Sequence, residues 1–295
     1  MLSDDLILFL TGCVRMLIYL GFVLCAGIAL FWAVVWPAGQ ALRRLVALAA
    51  AGIVLLAAGT IASPAVQMVL AGRPYAEVVA PGSGAWLLVR LAALCVAGFY
   101  GPELVAQPIR GRRRVITLVL VGVVALSLVA QSNAVQPPWM VIKVIATAGH
   151  LLATGAWLGG LVVLAAVLIP SDLTADLDEV IPRFSALATV AIATLAVTGT
   201  VHALAIAGGP VELLTSWYGL VLLIKMGVFG AMLLLGNHGR RYARAVVFRL
   251  RHLGAGGTTL ARTRLHTLGV TLGAEVGLAL AVLGSTAILV AVAPS

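Results

Sequence analysis

Long apolar runs separated by short polar segments dominate the pattern of this chain. Runs of about 17–25 apolar residues are long enough to cross a bilayer as a helix, and the chain contains eight. They lie at residues 6–36, 45–71, 84–106, 115–132, 140–169, 184–208, 217–237 and 267–292. The predicted fold class is all-α, a polytopic membrane helix bundle with about eight transmembrane helices. We divide it into an N-terminal four-helix half, residues 1–135, and a C-terminal four-helix half, residues 136–295.

Basic residues concentrate in every second connection between the spans. Most of the 19 Lys and Arg residues lie in connections one, three, five and seven, at Arg43, Arg44, 110–114, Arg183 and between 240 and 264. Because Lys and Arg accumulate on the cytoplasmic side of membrane proteins, we predict that both termini are outside. The first span lacks the basic n-region of a signal peptide and is expected to remain in the protein.

Composition supports the membrane assignment and narrows the partners. The chain is 62% hydrophobic and 10% charged, whereas soluble domains have about 25% charged residues. The net charge of +9 follows from the topology and from attraction to anionic lipid, so the expected partner is the lipid bilayer and no nucleic acid is needed. Cys13, Cys25 and Cys95 all lie inside predicted spans and form no CxxC pair, which argues against a disulfide framework and favours buried packing residues.

The fifth span contains a histidine within GHLLATGAWLGGL, residues Gly149 to Leu161. A polar ring in hydrocarbon needs a hydrogen-bond partner or a metal, and it tends to face the bundle interior. Gly155 and Gly159 form a small-xxx-small pattern that permits close helix packing. His150 is therefore the first candidate metal ligand, in a helix expected to pack tightly.

The sixth span has a polar stripe, because Thr194, Thr198 and His202 follow one another at a spacing of four and so share a helix face. At 1.5 Å per residue, His202 lies about 8 Å and His150 about 15 Å from the outer ends of their spans. The short connection between the two spans favours antiparallel neighbours. The two histidines are expected to share a layer in the outer half of the membrane.

Sulfur side chains near the same side are further candidate ligands. Cys13 and Met16 share a face of the first span, and Met68 and Met140 lie at the predicted outer ends of the second and fifth spans. Thiol and thioether sulfur are ligands that Cu(I) prefers. The alternative interpretation is ordinary packing residues.

Three charged residues, Arg15, Lys225 and Glu275, fall inside predicted spans. A charge at mid-membrane costs about 2.5–3.5 kcal/mol even on the translocon-insertion scale. We therefore predict an intramembrane charge cluster, either structural or, alternatively, a proton relay. Arg90 lies closer to an outer end and is expected to extend to the membrane interface.

Four segments of the C-terminal half, in this order, resemble the copper resistance protein D family (CopD, PcoD). They are GHLLATGAWLGGL, RFSALATVAIATLAVTGTVHAL, LLTSWYGLVLLIKMGVFGAMLLLGNHGRR and EVGLALAVLGSTAIL. The resemblance is most specific from about residue 140 to 292. It implies an eight-helix, multi-pass protein of the bacterial inner (plasma) membrane that moves copper ions or supplies cuproproteins, often beside a periplasmic CopC-like partner.

The histidine-rich metal site that the resemblance implies is reduced in this chain. Relatives commonly have a Gly-His pair where Ser132 and Asn133 stand, and a histidine where Thr147 stands. Of that site, only His150 carries over.

The leading functional hypothesis is a copper-handling membrane protein, active in copper transport, import, supply or resistance. Copper would be received at the outer face by His150 and His202, with help from sulfur at Met140, Met68, Met16 or Cys13. One alternative is a redox protein holding a haem between the two histidines. Another is a non-transporting assembly partner of a cuproenzyme such as a copper oxidase. The chain has no P-loop, HExxH or nucleophile–base motif, so no enzyme activity is predicted.

Overall fold

The computed structural model describes residues 4–37, 43–69, 83–106, 108–132, 140–171 and 174–207, with isolated positions at 72, 74 and between 219 and 277. Helix α1 comprises Asp4–Phe22, a π-helical turn Val23–Gly27 and Ile28–Val34; α2 is Arg43–Val69, α3 Ser83–Ala106, α4 Arg112–Ser132, α5 Met140–Val163 with a π-helical turn Leu164–Leu168, and α6 Thr174–Ala207. In this part of the chain, six helices are long and apolar enough to cross a membrane. The all-α, multi-pass membrane fold is therefore confirmed. The predicted spans at 217–237 and 267–292 lie almost wholly outside the described residues.

Large apolar side chains cover the outside of the bundle as well as its interior. Phe99 is 80% exposed and Val54 is 65% exposed, which would be costly in water for a whole surface of such residues. Lipid is their solvent instead, so the helices need no polar outer face.

Two hydrophobic clusters hold the described helices together, and α1 contributes to both. The first joins the inner part of α1 to α5 and α6, with Phe31, Val163 and Val180 fully buried. The second joins α1 to α2, α3 and α4 around Phe22 and Leu56. Helix α1 thus lies at the seam of the two halves predicted from the sequence, and that division stays a prediction.

Helices α1 and α5 cross at a very short distance at three glycines. A Cβ added to Gly159 would lie 2.5 Å from the Gly27 Cα, and a Cβ on Gly27 would overlap the Gly155 carbonyl oxygen. Phe22 contacts Gly155 and Gly27 contacts Gly159, so the two helices run in the same direction here. The predicted close packing at Gly155 and Gly159 is confirmed, and its partner is Gly27 on α1.

Helix α6 is 34 residues long and begins at Thr174. The acidic segment that follows α5 forms the first turns of α6 itself. Glu179 and Arg183 form an exposed ion pair at 2.6 Å. The short connection from Leu168 to Thr174 sets α5 and α6 side by side and antiparallel, as predicted.

Candidate metal site

The two intramembrane histidines lie against each other across the contact between α5 and α6. The ring centroids of His150 and His202 are 5.8 Å apart and the rings are nearly perpendicular, at 85°. The expected proximity of these two side chains is confirmed. Both lie toward the ends of their helices that the topology prediction places outside, which we call the predicted outer side.

His150 is held by a hydrogen bond to α6. Its Nδ1 is 2.9 Å from the Oγ1 of Thr198, whose hydroxyl donates to the Thr194 carbonyl oxygen at 2.7 Å. Thr198 is 9% exposed, so little water competes for this bond. Which of the two groups donates depends on the tautomer of His150.

The two helices are in ordinary van der Waals contact at a glycine on either side of this bond. A Cβ on Gly149 would lie 3.7 Å from the γ-methyl groups of both Thr194 and Thr198, and a Cβ on Gly199 would lie 3.8 Å from Cε1 of His150. The polar stripe of α6 therefore faces α5, as its spacing predicted.

Helix α5 presents a second polar stripe that sequence reasoning missed. Lys143, Thr147, His150 and Thr154 follow at spacings of four, three and four, so they share one face. Thr147 and Thr154 satisfy their hydroxyls within the helix, by donating to the carbonyl oxygens of Lys143 and His150 at 2.7 and 2.8 Å. The helical spacing of these four residues is the sequence signal that could have predicted this face.

His202 has neighbours on this second stripe. Lys143 of this stripe and the Ala146 backbone both lie close to its ring. A cationic side chain therefore lies near His202. The sequence did not predict this proximity, because Lys143 and His202 are far apart along the chain.

The predicted sulfur ligands lie in different surroundings. Met16 is partly buried and packs on the first hydrophobic cluster, and the register at Phe22 and Gly155 places it near the level of Gly149. Cys13 is exposed, and Met68 is partly buried on α2. The side chain of Met140, at the start of α5, lies outside the described residues.

All three cysteines are free. Cys13 and Cys95 are exposed on the bundle surface, and the expectation that they are buried is wrong.

The described residues contain no group of three or more His, Cys, Asp or Glu side chains that could hold a metal ion. The His150 and His202 pair is thus a two-imidazole arrangement. Phe229, a described residue of the predicted seventh span, packs on Trp157 with ring centroids 5.7 Å apart, about two turns from His150 along α5.

Of the predicted charge cluster, only Arg15 is described. Its Nη1 is buried and has no hydrogen-bond partner within the described ranges. Lys225 and Glu275 lie outside the described residues, so their pairing with Arg15 stays a prediction.

Arg90 is fully buried, and the expectation that it extends to the membrane interface is wrong. Its Nε donates to the Ser127 hydroxyl at 3.1 Å and Nη1 to the Thr60 hydroxyl at 3.4 Å. Its Nη2 donates to the Ser127 carbonyl at 2.9 Å and to the Gln131 amide oxygen at 2.7 Å. These neutral oxygens replace the water that a guanidinium would otherwise seek at the interface, and they join α2, α3 and α4 in one network.

Residues 178–289 match the sequence model of the family described as copper resistance protein D. This part of the chain is similar to copper resistance protein D, and the match covers less than half of the 295 residues. The resemblance predicted from its sequence is confirmed over a stretch that contains Thr194, Thr198 and His202. The match begins after α5, so the CopD model does not cover His150, although we expected the specific part of the resemblance to start near residue 140. Comparison with curated proteins and with solved structures gives no match.

Proposed function

We propose that this multi-pass membrane protein handles copper as its cargo and receives it at the predicted outer side, between His150 and His202. The observation that carries the proposal is the contact between these two imidazoles, contributed by neighbouring helices of a CopD-like chain. Imidazole nitrogen is a good ligand for copper. The proposed location is the bacterial inner membrane, with both termini in the periplasm.

The separation of the rings supports a single shared ion. Metal–nitrogen bonds to histidine are about 2.0 Å long, so an ion bound by both rings needs centroids about 6 Å apart. The observed 5.8 Å is close to that distance. Small rotations of the two side chains would then bring one nitrogen of each ring to the ion.

The small number of candidate ligands is consistent with a site that transfers copper and not with one that stores it. Two imidazoles bind copper less tightly than a closed set of four ligands and release it more readily. Met16, which lies near the level of Gly149, and Met140, at the start of the same helix as His150, are the proposed thioether ligands that would favour Cu(I). Met68 and Cys13 would act earlier, on the way to the histidines.

Movement of copper is proposed to follow a gradient, because the chain has no nucleotide-binding motif to drive it. A periplasmic CopC-like protein is the proposed donor, and a cuproenzyme is a proposed recipient.

We also propose that Arg15 pairs with Glu275 and Lys225 within the membrane. The buried Nη1 of Arg15 supports this pairing, since an unsatisfied guanidinium nitrogen in hydrocarbon is expensive. The cluster would hold the last two spans against α1.

A haem held by the same histidines is not proposed. Helices α5 and α6 touch at Gly149, where a Cβ would lie 3.7 Å from Thr194 and Thr198, whereas two axial ligands must leave a slot for the porphyrin between their helices.

Metal analysis of purified protein tests the proposal. After incubation with Cu(I) and removal of excess metal, the wild type is expected to retain about one copper per chain, and the variant carrying His150→Ala and His202→Ala to lose at least about 90% of it, because both imidazole ligands are gone. His252→Ala, which removes a histidine of the predicted inner loop, is the matched control and should bind like the wild type.

A wild type that holds no copper, or a double variant that binds as much as the wild type, would contradict the proposal. An absorption spectrum of the same sample tests the haem alternative, because a haem gives a Soret band. Copper uptake into proteoliposomes then separates transport from an assembly role, since an assembly partner would bind copper without moving it.

A further inference from the structure

Thr198, in the polar stripe of α6, contacts the His150 ring. Its single hydroxyl hydrogen can form a hydrogen bond within α6. That hydrogen points to the Thr194 carbonyl oxygen at 2.7 Å, with the Leu195 carbonyl oxygen farther away at 3.5 Å. With its hydrogen on the Thr194 carbonyl oxygen, the Thr198 oxygen can only accept a hydrogen bond from His150. Its partner at 2.9 Å is Nδ1.

This direction determines which nitrogen of His150 carries the proton. A neutral imidazole has one N–H, and the hydrogen bond made by one ring nitrogen decides the role of the other. If Nδ1 donates its N–H to Thr198, then Nε2 holds the lone pair. Only a nitrogen with a lone pair can bind a metal ion.

We propose that Thr198 is a positioning residue of the copper site: it holds His150 as the Nδ1–H tautomer and so presents Nε2 to the cargo ion. The role in copper binding rests on the proposed function, whereas the tautomer is a property of the protein without metal. Outer partners of this kind orient metal-binding histidines, and their removal typically weakens metal affinity about 10–100-fold.

The packing around Thr198 keeps this geometry in place. The residue is buried on the α5 side of α6, and Gly149 and Gly199 allow α5 and α6 to meet on both sides of the hydrogen bond. The Thr198 hydroxyl is therefore fixed by one helix while it orients a ring on the other.

The experiment compares Thr198→Val, which keeps the shape and removes the hydroxyl, with Thr198→Ser, which keeps the hydroxyl. Thr200→Val is the matched control, because Thr200 makes the same type of bond within α6, to the Ala196 carbonyl oxygen at 2.8 Å, and its side chain is exposed. Two quantities are measured: the tautomer of His150, by ¹⁵N-histidine NMR of metal-free protein at about pH 8, where imidazoles are neutral, and the affinity for Cu(I). The His150 signals are assigned by their loss in His150→Gln.

The wild type, Thr198→Ser and Thr200→Val are expected to show His150 as the Nδ1–H tautomer. Thr198→Val should shift His150 toward the Nε2–H tautomer and weaken Cu(I) binding by about tenfold or more. A wild-type His150 that is mainly Nε2–H would overturn the inference, and so would a Thr198→Val variant with unchanged tautomer and unchanged affinity.

The two proposals fail in different ways. If the wild type binds copper but His150 is the Nε2–H tautomer, the proposed role of Thr198 is wrong and the proposed copper site is still supported. If His150 is the Nδ1–H tautomer but the wild type binds no copper, the proposed copper site is wrong and only the tautomer is confirmed.

Discussion

Gly159→Ala is expected to lower the free energy of unfolding by about 3 kcal/mol or more, at the upper end of the range for overpacking. The new methyl group would lie 2.5 Å from Cα and 2.6 Å from the carbonyl carbon of Gly27. These are backbone atoms, so no side-chain rotation relieves the clash, and α1 and α5 must move apart. The separation would also loosen the first hydrophobic cluster, which both helices share. Thermal unfolding in lipid nanodiscs measures the effect.

Gly122→Ala is the matched control for this substitution. Gly122 lies within α4, and a Cβ there meets nothing within 4 Å. Alanine should be neutral at this position or stabilise the helix by about 0.5–1 kcal/mol. Equal unfolding midpoints for the two variants would show that the contact between Gly27 and Gly159 is not a close one.

Arg90→Ala is expected to lower the free energy of unfolding by about 2–4 kcal/mol, the range for disrupting a buried charged hydrogen-bond network. The variant loses the links to Thr60, Ser127 and Gln131 and leaves a cavity where the large side chain was fully buried. Of these partners, the Gln131 amide oxygen is the one left needing a new donor, because the hydroxyls of Thr60 and Ser127 also bond within their own helices. The same unfolding measurement applies.

Arg44→Ala removes an exposed arginine at the start of α2 and should leave stability nearly unchanged, which makes it the control for loss of charge alone. Arg90 lies in the network of α2, α3 and α4, away from α5 and α6. Folded Arg90→Ala protein is therefore expected to retain wild-type copper stoichiometry. An Arg90→Ala variant as stable as Arg44→Ala would contradict the buried network.

Local patterns predicted much of the candidate site. Apolar runs identified the helices, because a membrane-spanning helix must be about 20 residues long and nearly uncharged. The spacing of Thr194, Thr198 and His202 predicted one polar face, and the short connection predicted that it would meet the helix of His150. Both inferences depend on residues that are close in sequence, and the structure confirms both.

Arg90 shows where such reasoning stops. Its distance from a helix end suggested contact with the membrane interface, since a long side chain near lipid headgroups usually extends to water. The outcome depended on Ser127 and Gln131, which lie on another helix and supply enough oxygens to replace water. Helical periodicity assigns a residue to a face and says nothing about which helix covers that face.

The sequence alone determined the class of this protein, its six described spans, the glycine pattern of α5 and the histidine in that helix, because each depends on composition or on spacings within one helix. Only the tertiary structure decided that Gly27 is the partner of Gly159, that His202 touches His150, that Lys143 lies near His202 and that Thr198 lies within hydrogen-bond distance of the His150 ring. These contacts join residues from different helices, and their geometry arises from packing several helices at once.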